Sequence, residues 1–312
     1  MADLADDREK RLAELKKEVI KRGFDRHASL LKKISELPVE LQSSVVAAHE
    51  MVQTIIVFPP QIQSGWHYVP KQALLFSKGG LIHLVASIWP GQEPQVTCLQ
   101  GCDLMYAKVK LLLLYGLLEI VARGQDSPIR LAMEFNTLNW YYLSAPLQRF
   151  LQGTKTTPDE QAKKAIHSTV RQQGLEKLPL KFSNGLQLFG LLPGEQLEEL
   201  VFQAGTWKRR LYFFRQPVSA NTLLLLTSHY LVLIQEELNV KQGWVLSYIP
   251  RDSIIGIQSQ PCGLWSELSV QLKCGEQSVD YKLILKSEAV EAWRRRWVQH
   301  GGRWDGGPKQ QA

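Results

Sequence analysis

The sequence predicts an α+β protein: two small β-barrels, each closed by a C-terminal helix, with a helical arm before the first and a helical connector between them. Three observations predict it. Runs with the two-residue period of strands fill about residues 50–135 and 197–286, the second run repeats the first one's order of hairpins and turns, and each run ends in one aromatic-rich helix. A curled sheet whose open end is plugged by a helix buries apolar surface on both elements. The resulting division is an arm over 1–40, a first barrel over 41–152, a connector over 153–196, a second barrel over 197–302 and a flexible tail over 303–312.

In the arm, Leu12, Leu15, Val19 and Ile20 recur at helical spacing. Gly23 interrupts the run, and Leu30, Leu31 and Ile34 resume it before Pro38, so a helix is predicted over 3–36. Its stripe suits packing on its own domain or pairing with a second copy. In the first strand block, VQTIIVF is a strand, QALLFSKGGLIHLVAS is a hairpin turning at Lys78-Gly79-Gly80, and QVTCLQGCDLMYAKVK and LLLLYGLLEIVA are further strands. A turn at RGQDSP leads to IRLAMEF, then to the helix LNWYYLSAPLQRFLQ, which Pro146 is expected to restart. In the connector, Thr157, Pro158 and Glu160 mark a helix start, with a stop at Gly174. The second block reads as the strands KRRLYFF, NTLLLLTS, HYLVLIQEE, GWVLSYIP, SIIGIQSQ, ELSVQLK and SVDYKLIL, then the helix SEAVEAWRRRWVQH. The leucine runs Leu111–Leu114 and Leu223–Leu226 are both expected to be buried strand, covered on both faces.

The two blocks align as hairpin with hairpin (QALLFSKGGLIHL, TLLLLTSHYLVLI), turn-plus-strand with turn-plus-strand (QGCDLMYAKVK, IPRDSIIGIQSQ), and final hairpin with final hairpin. This order resembles the pleckstrin-homology-like (PH-like) superfold. The second block resembles a bacterial PH domain through LLPGEQLEELVFQ, LLLLTSHYLVLI, YIPRDSIIGIQ and its tryptophan-bearing last helix. GTWKRRLYFFR resembles the basic segment on the first strands of eukaryotic PH domains. In lipid-binding members that segment contacts phosphoinositide headgroups, and the resemblance implies such a role for Lys208, Arg209, Arg210 and Arg215. The first block departs from the pattern, having no basic strand pair and carrying Pro146 in its closing helix.

Charge narrows the function classes. The chain of 312 residues carries a formal net charge of +7, spread without a polybasic tail, which gives weak attraction to anionic surfaces and makes nucleic acid an unexpected partner. No acidic residue lies between Glu199 and Glu236, where Lys208, Arg209, Arg210 and Arg215 fall. Arg294, Arg295 and Arg296 on the last helix form either a solvated face or an anion-contact stripe beside them. Trp293 and Trp297, one helical turn apart, are expected to plug the second barrel.

The sequence has no phosphate loop, dinucleotide fingerprint, GxSxG or HExxH. Its seven histidines are scattered, and Cys98, Cys102, Cys262 and Cys274 lack zinc or redox spacing, so no catalytic residue, metal or cofactor is expected. A charged start, no bilayer-length apolar run and four cysteines suit a cytoplasmic protein, peripheral at most to the inner face of a membrane. The expected function is non-enzymatic binding to an anionic membrane surface or a protein partner, with self-association through the N-terminal helix as one form. A scaffold without lipid binding is the alternative. An enzyme with a dispersed site and a phosphate-reading nucleic-acid binder are the remaining competitors.

Overall fold

The computed structural model describes residues 2–21, 27–42, 52–63, 67–153, 178–211, 214–238 and 243–305; over 2–4, 63, 208–211 and 214–215 the description is of the backbone. It is a mixed α+β structure of mostly antiparallel sheets with few helices. The chain divides into two compact units, Met1–Cys102 with Leu114–Gly116 and Met133–Lys155, and Asp103–Leu113 with Leu117–Ala132 and Thr156–Ala312.

The first unit begins with α1 (Ala2–Lys21), whose Arg11 side chain donates to Ile88 O at 3.2 Å. The predicted helix over 3–36 stops there. Ser29–Leu31 is instead a strand, β1, paired antiparallel with β2 (Val52–Phe58), and Ile34–Glu36 is a 3-10 turn leading to the short α2 (Val39–Gln42). The leucines after Gly23 have helical spacing, but pairing with β2 satisfies their backbone groups as well as a helix would. After the small hairpin β3 (Gln61–Gln63) and β4 (His67–Val69) come β5 (Gln72–Ser77), β6 (Gly80–Val85) and β7 (Gln95–Gln100), completing a sheet of order β1-β2-β5-β6-β7. One face is the apolar cluster of Leu37, Leu41, Ile55, Val57, Ala73, Leu75 and Leu84. Alternation turns the buried Ile56, Phe58, Leu74 and Phe76 the other way.

Beyond the 3-10 turn Gly101–Asp103 run β8 (Leu104–Leu112), β9 (Tyr115–Ala122) and β10 (Ile129–Phe135). Leu113 and Leu114 are not buried strand. They form the β8–β9 turn, 68% and 56% exposed, with Leu113 at φ 48°. Tight hairpin turns need positive φ, and the pairing imposes it here on a leucine. The helix α3 (Trp140–Gln152) packs on β2 and β5 and runs unbroken through Pro146. Its buried Leu143, Leu147, Phe150 and Leu151 offset the hydrogen bond that proline removes.

In the second unit, α4 (Leu180–Gly185) continues as one π turn over Leu186–Gly190; the connector helix predicted from Thr157 lies outside the described residues. Next come β11 (Leu197–Gln203), β12 (Thr206–Leu211), β13 (Phe214–Ser219), β14 (Thr222–Thr227), β15 (Tyr230–Gln235) and β16 (Trp244–Pro250). The 3-10 turn Arg251–Ser253 then leads to β17 (Ile254–Cys262), β18 (Trp265–Cys274), β19 (Gln277–Lys286) and α5 (Ser287–Gln299). Leu223–Leu226 are completely buried. Leu224 and Leu226 join the main core, whereas Leu225 meets the π turn at Gly190, where a Cβ would lie 3.0 Å from the Leu225 side chain. The same turn is tied down by Tyr248, whose hydroxyl donates to Phe189 O at 2.8 Å.

Strand pairing corrects the predicted barrels. The described strands form open sheets, with order β10-β9-β8-β16-β15-β14-β11 in one and β17-β18-β19 in another. β8 does not stay with the block that precedes it; it pairs with β16 from Ala107↔Tyr248 to Leu111↔Trp244. Both strands have a free edge and matching apolar residues, Val109 opposite Leu246 among them, so the edge-to-edge ladder forms in place of local closure. The tail is corrected too: Trp304 makes a parallel bridge with Ile257, so residues 303–305 dock on β17, and the rest of the tail lies outside the described residues.

The element order is nevertheless the same twice. β2-β5-β6-β7 and β11-β14-β15-β16 pair in one pattern, each followed by a 3-10 turn, a three-strand meander and a 13-residue helix. Small bonds recur as well: Gly101 N–H donates to Gly79 O at 2.7 Å, and Arg251 N–H to His229 O at 2.8 Å.

Candidate functional site

The basic residues singled out in the sequence lie on a hairpin with a ladder of its own, β13 of which packs against β19. β12 and β13 pair only with each other among the described residues, in the register Trp207↔Pro217, Lys208↔Gln216, Arg209↔Arg215 and Leu211↔Phe214. Lys208, Arg209 and Arg210 fall on β12 and Arg215 on β13, and a register shift between Arg209 and Leu211 interrupts strict alternation at Arg210. The side chains of these four residues lie outside the description; their backbone places Arg209 directly opposite Arg215. Like charges at opposed positions destabilise a ladder by tenths of a kcal/mol to about 1 kcal/mol, a cost that a bound anion relieves.

The base of the hairpin is fixed by polar contacts. Thr206 Oγ1 and Ser219 Oγ are 2.7 Å apart, Gln203 Nε2 donates to Ser219 Oγ at 3.1 Å, and Gly205 N–H donates to Asn221 Oδ1 at 2.7 Å. Lys286 N–H donates to Gln203 Oε1 at 2.6 Å, which ties that base to the end of β19. At Gly205 a Cβ would sit 2.9 Å from Ser219 O, so the close approach of the two chains there requires glycine. Composition did not single out Trp207. It precedes the basic run and is 59% exposed, an amphipathic ring beside cationic positions.

The arginines of α5 do not form one stripe. Arg296 is 3.0 Å from Glu199 on β11 and also donates to Leu200 O; Arg294 lies 3.7 Å from Glu291, and Arg295 Nε donates to Glu291 O at 3.4 Å. Three consecutive helical positions diverge by about 100° each, and β11 claims the one facing it. His300 bridges Glu198, which also takes Arg251 at 2.7 Å, and the Glu199 that Arg296 meets, with Nδ1 3.2 Å from the first and Nε2 3.5 Å from the second, so Arg296 belongs to an intramolecular charge network at the end of α5. Trp293 and Trp297 are buried in the main core with Val290, Leu268, Leu283 and Leu285.

Other polar groups are engaged locally. Glu195 accepts from Thr227 Oγ1, Ser228 Oγ and His229 N–H and lies 2.8 Å from His229 Nδ1, capping the β14–β15 turn. Burial drives His83 down to about 4, with its Nε2 at 2.8 Å from Gln72 Oε1. Burial also raises Tyr281 to about 12, and its hydroxyl lies 2.6 Å from Ser247 Oγ. His49 and His167 lie outside the described residues. Among the described residues no group of three or more His, Cys, Asp or Glu side chains is placed to hold a metal ion, and no helix is long and apolar enough to cross a membrane. Cys98, Cys102 and Cys262 are exposed, and Cys274 is buried as a free thiol. The chain matches no protein-family model and no curated protein sequence.

Proposed function

We propose that the chain is a non-enzymatic, cytoplasmic binding protein of two PH-like units in tandem, attached weakly to anionic membrane surfaces through the β12–β13 hairpin. The observation that carries this reading is the opposition of Arg209 and Arg215 on a hairpin without acidic residues, next to the exposed Trp207. The repeated element order supports the tandem PH-like reading. Each basic residue near an anionic bilayer contributes roughly 1 kcal/mol, so four give reversible, salt-sensitive attachment.

Sedimentation with phosphatidylserine-containing vesicles tests it. Replacing Arg209 and Arg215 with glutamine removes about 2 kcal/mol and lowers partitioning by roughly thirtyfold with the fold intact. Equal sedimentation of the variant and the parent chain overturns the assignment of the hairpin.

A protein scaffold is the second reading, and the sheet edges favour it. β7, with Val96 and Cys98 exposed, pairs only with β6 among the described residues. Such an edge is a template for another strand.

A further inference from the structure

β8 and β16 form a five-pair antiparallel junction in which each is the end strand of a local meander, β8 following into β9 and β16 following from β15. The repeated order makes β17 the counterpart of β8: both have nine residues and both are entered through a three-residue 3-10 turn. β7 is likewise the counterpart of β16, each being the strand that runs into that turn. Among the described residues the chain therefore makes this junction once and carries a second copy of each partner, β7 and β17, that is not used in it.

The second edge of β17 is not bare. Ile257 N–H donates to Arg303 O at 3.2 Å, and Asp305 N–H donates to Ile257 O at 2.9 Å, the parallel bridge centred on Trp304. Ile257 is the fourth residue of β17, as Ala107 is of β8, and Ala107 is the residue paired with Tyr248 of β16. The tail thus holds on β17 the place that β16 holds on β8. It is anchored from behind by Trp297, whose Nε1 donates to Arg303 O at 3.1 Å, and by Gly302 N–H donating to Trp297 O at 3.0 Å. The cap makes two backbone bonds to β17 and rests Trp304, partly buried, on the main core, against the five paired positions of the β8·β16 ladder.

We infer that residues 302–305 are a displaceable cap on the edge of β17, and that the uncapped edge takes β7 of a second copy of this chain, repeating the β8·β16 junction between molecules. The correspondence sets the register, with Ile257 opposite Cys98, Gln258 opposite Thr97 and Ser259 opposite Val96 of the second copy. Pro261, which has no N–H to give and stands where β8 has Leu111, ends the ladder one pair early. Because β7 and β17 are different surfaces, the contact is heterologous and propagates beyond a dimer unless the rotation closes a ring. The inference uses neither β12 nor β13 and stands apart from the membrane reading.

The test is light scattering after size exclusion on the chain ended at Gly301 and on full-length Asp305→Pro, which removes the N–H that Ile257 O accepts together with the carboxylate that takes Arg303 Nε at 2.7 Å. Both are also made with Thr97→Cys and Gln258→Cys in a background of Cys98→Ser, Cys102→Ser and Cys262→Ser. The expected result is a native circular dichroism spectrum, a mass that climbs with concentration past the dimer, and a disulfide ladder that the capped chain does not give. Folded variants that stay monomeric, or that oligomerise without linking residues 97 and 258, overturn the inference. Loss of the native spectrum in both variants also overturns it, since the segment is then part of the core and not a cap.

Discussion

Trp293 and Trp297 stack with ring centroids 6.4 Å apart, and both are buried between α5 and the strands of the second unit. Their N–H groups differ: Trp297 donates to Arg303 O, whereas Trp293 Nε1 has no acceptor among the described residues, so apolar packing alone holds it. Trp293→Ala is expected to cost about 3–5 kcal/mol, and Trp293→Phe much less. Urea unfolding of the full chain checks this; an unchanged midpoint for the alanine variant contradicts the core position.

A second expectation follows from the β8·β16 ladder. A fragment starting at residue 178 lacks β8 and leaves the β16 edge, with its buried Leu246 and Tyr248, without a partner. It is expected to self-associate, unlike the full chain, because exposed edges recruit strands. Size exclusion checks this, and a monomeric 178–312 fragment with protected amides at Leu246 and Tyr248 contradicts it.

His83 sets a pH dependence. Its folded value of about 4 lies below the ordinary 6.5, so the unfolded chain binds the proton first and stability rises with pH through that window. Stability is complete above about 6.5 and falls by about 3 kcal/mol as the pH drops to 4. His83→Gln keeps a hydrogen-bonding partner for Gln72 and removes the titration. Unfolding free energies of parent and variant should run together above about pH 6.5 and separate toward pH 4, where the parent loses about 3 kcal/mol and the variant does not; parallel curves contradict the assignment.

Much of this architecture is legible in the sequence because it is local. Gly79 at positive φ marks the β5–β6 turn, the unbroken apolar run Leu223–Leu226 marks a strand covered on both faces, and the spacing of Val290, Trp293 and Trp297 marks the buried face of α5. What the sequence hides is non-local. Leu111–Leu114 has the composition of Leu223–Leu226, and only pairing decides that one turns at Leu113 while the other stays buried. Leu30 and Leu31 keep helical spacing yet pair with Ile56 and Ile55. Of the site, the basic residues are visible as a run without acids. Their cross-strand opposition and the claim of Glu199 on Arg296 depend on register and packing that composition does not encode.

The hairpin base gives a fourth expectation. Gly205→Val forces a side chain against Ser219 O and is expected to destabilise the β12–β13 hairpin while leaving β14–β16 protected. Hydrogen exchange reads both regions at once; equal loss of protection everywhere contradicts the separateness of the hairpin.

The most direct measurement is co-sedimentation of the unmodified full chain with phosphatidylserine vesicles and with neutral phosphatidylcholine vesicles, at about 0.01 M and about 0.15 M salt, where the Debye length falls from about 30 to about 8 Å. Attachment through the basic hairpin predicts binding to the anionic vesicles at the lower salt, most of it lost at the higher, and little to the neutral ones throughout. No sedimentation with anionic vesicles at the lower salt, or binding that ignores both salt and headgroup, contradicts it.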